Sequence, residues 1–83
     1  MTRVKVLLFA TLRERMNGAK FIELDLPTGA TVRDLKAQIA REFPALKENM
    51  KSVLSTINRE YAFDKGIVPD GAELAMFPPV SGG

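Results

Sequence analysis

One amphipathic segment in the middle of this 83-residue chain restricts the folds that the chain can adopt. Apolar residues recur along Val32–Phe43 at spacings of three, four and four, so they lie on one face of a helix. Thr31 is the predicted N-cap, with Asp34 three residues later as in a capping box, and Pro44 ends the helix. Because a single helix cannot enclose its own apolar face, the rest of the chain must supply a sheet for it to cover.

Segments of alternating polarity before the helix predict the first part of that sheet. Residues 4–9 are apolar on both faces, which is typical of a strand inside a sheet, and Phe21–Leu26 alternates between apolar and acidic side chains. The turn signal Asn17-Gly18 lies between them, so these two strands are predicted to form an antiparallel hairpin. Ala10–Met16, inside the connection, is predicted to form a short helical turn.

The second half of the chain predicts the remaining strands. A further short helical turn is placed at residues 45–50, and Pro69-Asp70-Gly71 is a turn in which proline and glycine each supply a required dihedral angle. The predicted strands cover residues 53–57, 61–63 and 73–77. The order strand, strand, helix, strand, short strand, strand predicts an α+β fold, with one main helix packed across a mixed sheet.

The composition excludes most catalytic chemistry for the chain acting alone. Cysteine and histidine are both absent, which removes disulfides, the commonest metal ligands and the commonest general base. Ser52, Ser55 and Ser81 consequently have no histidine to activate them. We expect no catalytic side chain, no metal site and no cofactor bound by this chain.

Charge and hydropathy suggest where the chain works. The net charge is +2, and no run of lysine and arginine is interleaved with aromatic residues, so we expect no binding to nucleic acid. Arg13, Arg15 and Lys20 form either a basic patch for a partner or an ordinary solvated face. No segment is long and apolar enough for a membrane span or a signal peptide, and we therefore expect a cytoplasmic protein.

The most unusual segment is the last one, FPPVSGG at residues 77–83. Prolines hold the backbone extended, which predicts a folded domain over residues 1–77 and an extended tail with a flexible tip over residues 78–83. Glycine has no side chain, so the only reactive group at the tip is the α-carboxylate of Gly83. The pKa of this carboxyl group is expected to be about 3.5, so the group is ionised at neutral pH. It must be activated, for example as a mixed anhydride with AMP, before it accepts sulfide or an amine.

These segments resemble those of a known family, the small subunits of molybdopterin synthase. The resemblance rests on VLLFATLRE at Val6–Glu14, on PTGATVRDL at Pro27–Leu35 and above all on the ending at Phe77–Gly83. It implies the ubiquitin-like β-grasp fold, which agrees with the predicted order of elements. It also implies that Gly83 carries sulfur and that Gly82 is its narrow neighbour.

The resemblance implies a reaction sequence and two protein partners. An E1-like activating enzyme would adenylate Gly83 with ATP, and a sulfurtransferase would then convert it to a thiocarboxylate. The tail would enter the large synthase subunit, where two rounds of sulfur transfer would turn cyclic pyranopterin monophosphate into the molybdopterin dithiolene. The complete synthase would be a heterotetramer. The residues that match the family's partner interface are Phe9, Arg13, Phe77, Pro78, Pro79, Val80 and Ser81.

Three other functions fit the same features. A sulfur carrier of the thiamine pathway shares the fold and the terminal glycines. A ubiquitin-like protein modifier would use the activated Gly83 to form an amide with a lysine. A binding module would have the same fold and an idle tail. Phe9 and Phe77 lie near predicted strand ends. The resemblance implies that they are interface residues, and they could instead be core residues.

Overall fold

The computed structural model describes residues 1–79, and these form one mixed sheet covered on one side by a long helix. The elements are β1 (Thr2–Leu8), α1 (Thr11–Arg15), β2 (Phe21–Leu26), α2 (Val32–Glu42), two short 3₁₀ helices (Pro44–Leu46 and Asn49–Lys51), β3 (Leu54–Ile57), β4 (Glu60–Ala62) and β5 (Glu73–Phe77). The five strands lie in the order β2-β1-β5-β3-β4. β1 and β5 are parallel and every other pair is antiparallel, which confirms both the predicted hairpin and the predicted mixed sheet.

The core lies between α2 and one face of the sheet. Alternate residues of β1 and β2 are buried, and the buried side of α2 consists of Val32, Leu35 and Ile39, as the spacing predicted. Phe43, the last residue of the predicted apolar face, is only partly buried because α2 ends at Glu42 before Pro44. Since α2 covers one face, the side chains on the opposite face of the sheet, called the open face below, are half-buried or exposed except for the buried Ala75.

The start of α2 is tied to the loop of residues 63–68. The predicted capping box is present, with the Thr31 hydroxyl accepting from the backbone N–H of Asp34 and the Asp34 carboxylate accepting from that of Thr31. The first backbone N–H groups of α2 have no acceptor within the helix, and the loop supplies one. The N–H of Val32 donates to the carbonyl of Gly66 at 2.8 Å. The N–H of Arg33 likewise donates to the carbonyl of Asp64 at 3.0 Å. The loop is therefore held at its backbone.

A side-chain ion pair adds to this attachment and makes it sensitive to acid. Lys36 Nζ lies 2.8 Å from Asp64 Oδ1. The hydrogen bond from Lys36, and then its charge, hold the pKa of Asp64 below the ordinary value of 3.8. A carboxyl group whose pKa is lowered by folding stabilises the fold above its unfolded pKa, and this stabilisation disappears as the pH falls through the folded pKa.

Asp64→Asn is expected to remove this acid dependence. Because the Asp64 side chain is 46% exposed, the ion pair should contribute no more than about 1 kcal/mol at neutral pH. Urea unfolding from about pH 6 to about pH 2.5 should show a smaller fall in the free energy of unfolding for the variant than for the original chain. Parallel pH curves for the two proteins would contradict the assignment.

Several predicted strand bounds differ from the structure. The first strand was predicted at residues 4–9 and β1 spans Thr2–Leu8, and the third was predicted at residues 53–57 and β3 spans Leu54–Ile57. The short strand was predicted at residues 61–63, whereas β4 spans Glu60–Ala62, so Phe63 lies beyond the strand. Of the predicted tail, only Pro78 and Pro79 fall within the described residues, and the division between domain and tail remains a prediction. Within residues 1–79, no helix is long and apolar enough to cross a membrane.

Candidate protein-docking site

A row of side chains crosses the open face from one strand to the next. The strand register places Leu7 of β1 beside Ala75 of β5, Ala75 beside Thr56 of β3, and Thr56 beside Tyr61 of β4. The adjacent residues on each strand point to the core, so this row points away from it. Tyr61, at the edge of the sheet, is 71% exposed. The open face is thus largely uncharged along this line.

Two aromatic rings form a platform where β5 ends. The rings of Phe9 and Phe77 stack with their centroids 4.7 Å apart and their planes 11° from parallel. The guanidinium carbon of Arg13 lies 5.6 Å from the centroid of the Phe9 ring, and its Nε donates to the carbonyl of Leu8 at 3.2 Å. Stacked pairs of this kind contribute about 0.5–1.5 kcal/mol beyond the area they bury. Phe9, Phe77 and Arg13 are therefore held in a fixed arrangement while remaining only partly buried.

A groove of about 370 Å³ lies beside this platform and is called the docking groove below. Its lining consists of Phe9, Ala10, Leu54, Tyr61, Phe77, Pro78 and Pro79. The structure thus brings together the five described residues that the sequence placed at a partner interface, because Arg13 packs on the Phe9 ring. The remaining predicted site residues, Val80, Ser81, Gly82 and Gly83, lie outside the described residues.

Sequence reasoning missed three of the residues that line this groove, namely Ala10, Leu54 and Tyr61. Leu54 lies opposite Phe77 in the register of β3 and β5, and Tyr61 reaches the groove from β4. Tyrosine in a short strand with charged neighbours was a usable signal, because tyrosine is enriched at protein interfaces. Leu54 gave no such signal, since only the long-range pairing of β3 with β5 brings it next to the tail.

The chain reverses direction beside the platform through a strained turn. Ala10 has φ 52° and ψ −125°, and the carbonyl of Phe9 accepts from the N–H of Leu12 at 3.2 Å. These values match the first central position of a type II′ turn, which is dominated by glycine. An alanine at this position stores strain of about 1–3 kcal/mol next to the docking groove.

Ala10→Gly is expected to stabilise the fold by about 1 kcal/mol. Relief of the strain outweighs the conformational entropy that glycine adds to the unfolded chain, which is about 0.5–1 kcal/mol. Ala19→Gly, at a residue that does not have a positive φ, is the matched control and should destabilise. Chemical unfolding of both variants measures the difference, and a less stable Ala10→Gly variant would contradict the strain at this turn.

The chemistry available in the docking groove is that of binding. Apart from the hydroxyl of Tyr61, its lining side chains are hydrocarbon, and none is a nucleophile beside a base. Within residues 1–79, no group of three or more histidine, cysteine, aspartate and glutamate side chains is arranged to hold a metal ion. An exposed apolar groove with fixed aromatic rings is a surface suited to a protein partner.

The sheet order and the single helix that crosses one face of the sheet define a ubiquitin-like β-grasp protein. Its sequence matches the ThiS family over residues 6–83, and the chain belongs to that family. This result confirms the resemblance found in the sequence, since the matched region includes the opening segment, the corner before α2 and the ending.

Known proteins similar to this chain support the same conclusion. The molybdopterin synthase sulfur carrier subunit of Arabidopsis thaliana is 40% identical over 80 residues, covering 96% of this chain and 82% of that protein. The protein of the same name from Chlamydomonas reinhardtii is 42% identical over 83 residues, covering 98% and 99%. Among solved structures, H. volcanii small archaeal modifier protein 1 superposes with a TM-score of 0.82 at 28% identity, covering 96% of this chain and 100% of that one.

Proposed function

We propose that this protein is the sulfur carrier subunit of a molybdopterin synthase. The observation that carries the proposal is a docking groove with fixed aromatic rings and no catalytic group, placed where the chain leaves the sheet toward Gly82-Gly83. Similarity over nearly the full length to the two plant and algal sulfur carrier subunits supports it. The folded domain in this proposal presents the tail and binds the protein that receives it.

The proposed cycle begins with activation of Gly83. A carboxylate oxygen attacks the α-phosphorus of ATP on an E1-like activating enzyme, forming the acyl adenylate and releasing pyrophosphate. The terminal sulfur of a persulfide on a sulfurtransferase then attacks the acyl carbon and displaces AMP, which gives an acyl disulfide. A thiol, acting as the reductant, cleaves the S–S bond by forming a disulfide with the sulfurtransferase sulfur, and this leaves a thiocarboxylate on Gly83. The ATP belongs to the activating enzyme, and we assign no cofactor to this chain. Glycine suits both steps because it places no bulk beside the carbonyl carbon.

The second half of the cycle takes place on the large synthase subunit. The docking groove binds that subunit while the tail enters its active site, where the thiocarboxylate sulfur bonds to cyclic pyranopterin monophosphate. Water then cleaves the bond between the acyl carbon and this sulfur, so the sulfur stays on the pterin and Gly83 returns as a carboxylate. Two such rounds form the dithiolene. The assembly in this proposal is a heterotetramer with one carrier at each end of a dimer of large subunits, and it works in the cytoplasm.

Reconstitution with the large subunit tests the proposal. Carrier prepared with a thiocarboxylate at Gly83 should convert cyclic pyranopterin monophosphate to the dithiolene product in proportion to the carrier added, and carrier with a carboxylate should yield none. If the thiocarboxylated chain transfers no sulfur while a thiocarboxylated relative does so with the same large subunit, the proposal is wrong.

A second candidate function is protein modification. The similarity to small archaeal modifier protein 1, at 28% identity over almost the whole chain, favours it over the thiamine-pathway carrier. In that function the adenylated Gly83 would react with a lysine amine and form an amide. Incubation of the carrier with ATP and its activating enzyme in cell extract should then produce conjugates that a reducing agent does not release.

A further inference from the structure

A second groove adjoins the docking groove at Leu54 and Tyr61, which line both. Ten of the described residues line the second groove. Among them Phe63 is 82% exposed, whereas Val53 is buried. The two grooves therefore meet at apolar side chains of β3 and β4.

The exposed Phe63 lies on a loop, residues 63–68, that is held in place by backbone hydrogen bonds. Within the loop the N–H of Gly66 donates to the carbonyl of Phe63 at 2.8 Å. The carbonyls of Asp64 and Gly66 cap the start of α2. Phe63 and the exposed Tyr61 line the same groove, so together they form an exposed apolar patch of the kind that marks an interaction surface.

The rim of the second groove is basic. Among the described residues, Arg33, Lys36 and Lys65 line it together with one carboxylate, that of Asp64. Lys36 is neutralised by Asp64 at 2.8 Å. Within residues 1–79, neither Arg33 nor Lys65 takes part in a salt bridge. An apolar floor with two available cations at its rim is complementary to an apolar segment flanked by carboxylates.

We propose that the second groove binds the large synthase subunit, through an apolar segment of that subunit flanked by acidic residues. This inference rests on the proposed function. Its main support is continuity, since Leu54 and Tyr61 line both grooves and Phe63 lines the second groove together with them. Stable interfaces engage about 20–30 residues on each side, more than the docking groove and tail supply.

Binding of the full-length carrier to the large subunit, measured by titration calorimetry, tests the inference with paired variants. Phe63→Ser removes the aromatic wall, and Ile67→Ser is its control because Ile67 is also exposed, at 63%, but does not line the groove. Lys65→Glu reverses a rim charge, and Lys47→Glu makes the same change in net charge at an exposed residue elsewhere.

The expected result is a selective loss of affinity for the large subunit. Phe63→Ser should raise the dissociation constant by about tenfold, and Lys65→Glu by about fivefold at low salt with a smaller difference at about 0.5 M salt. Both controls should bind within about twofold of the original chain. The melting temperatures of all four variants should match that of the original chain closely, since the altered side chains are exposed.

Two results would overturn the inference, and both differ from failure of the proposed function. If Phe63→Ser and Lys65→Glu bind the large subunit like their controls while Phe77→Asp loses binding, the second groove is not part of the interface and the proposed function stands. If the two variants lose affinity only for the activating enzyme, the assigned partner is wrong. Full binding by Phe77→Asp as well would reject the docking groove and the proposed function with it.

Discussion

Deletion of Gly83 is expected to abolish sulfur transfer and to leave the stability of the fold unchanged. Within residues 1–79, the core cluster extends as far as Met76 and the last strand ends at Phe77, so we expect the free energy of unfolding not to depend on Gly83. The proposed chemistry depends on it entirely, because the carboxylate that accepts AMP and then sulfur is that of Gly83. A deletion would move the carboxylate back by one residue, about 3.5 Å, from the reacting atoms.

Gly83→Val tests the effect of bulk beside the carboxylate separately from the effect of the carboxylate's position. This variant keeps the length of the tail and the terminal carboxylate but adds a branched side chain beside the carbonyl carbon. Both variants should form less than about one-thousandth of the product formed by the original chain, because misplacement of reacting atoms by about 1 Å already lowers rates by about 100-fold. A substantial fall in the urea midpoint, or transfer at the original rate, would contradict this expectation.

Phe77→Asp is expected to weaken binding of the large subunit by about 100-fold or more while the fold survives. Aromatic anchors at the centre of an interface contribute about 2–4 kcal/mol when truncated, and a carboxylate would additionally lose its hydration on binding. The Phe77 ring is only partly buried and its partner in the fold is Phe9, so the expected loss of stability is about 1–2 kcal/mol.

The same substitution at Phe21 provides the control. Phe21 lies on the open face in register with Leu7, is 40% exposed and carries Lys5 4.1 Å from its ring centroid, but it does not line the docking groove. Phe21→Asp should therefore bind the large subunit normally. If Phe77→Asp unfolds while Phe21→Asp remains folded, then Phe77 serves mainly as a core residue and its interface role is wrong.

The elements that sequence patterns predicted well are those set by neighbouring residues. The capping box at Thr31, the buried side of α2 and the hairpin of β1 and β2 depend on spacings of a few residues, and all three are present. The strand β5 has the predicted bounds because turn residues precede it and prolines follow it. The mixed sheet followed from the need to cover one helix face.

Features that depend on distant pairing could not be predicted in the same way. The parallel pairing of β1 with β5 joins the two ends of the chain, and only this pairing brings Phe9 to Phe77. The docking groove is assembled from the residues that follow β1 and from β3, β4 and the end of β5, so Leu54 gave no sign of its role. The positive φ of Ala10 could not be predicted, because alanine rarely adopts it. Strained residues of this kind are common next to binding surfaces.

The measurement that tests the central claim most directly is the intact mass of the chain after incubation with ATP, its activating enzyme and a sulfur source. The account predicts a gain equal to the replacement of one oxygen by one sulfur, located by fragmentation at Gly83 and absent when ATP is omitted. An unchanged mass, from an enzyme preparation that converts a related carrier under the same conditions, would contradict the proposal that this chain carries sulfur.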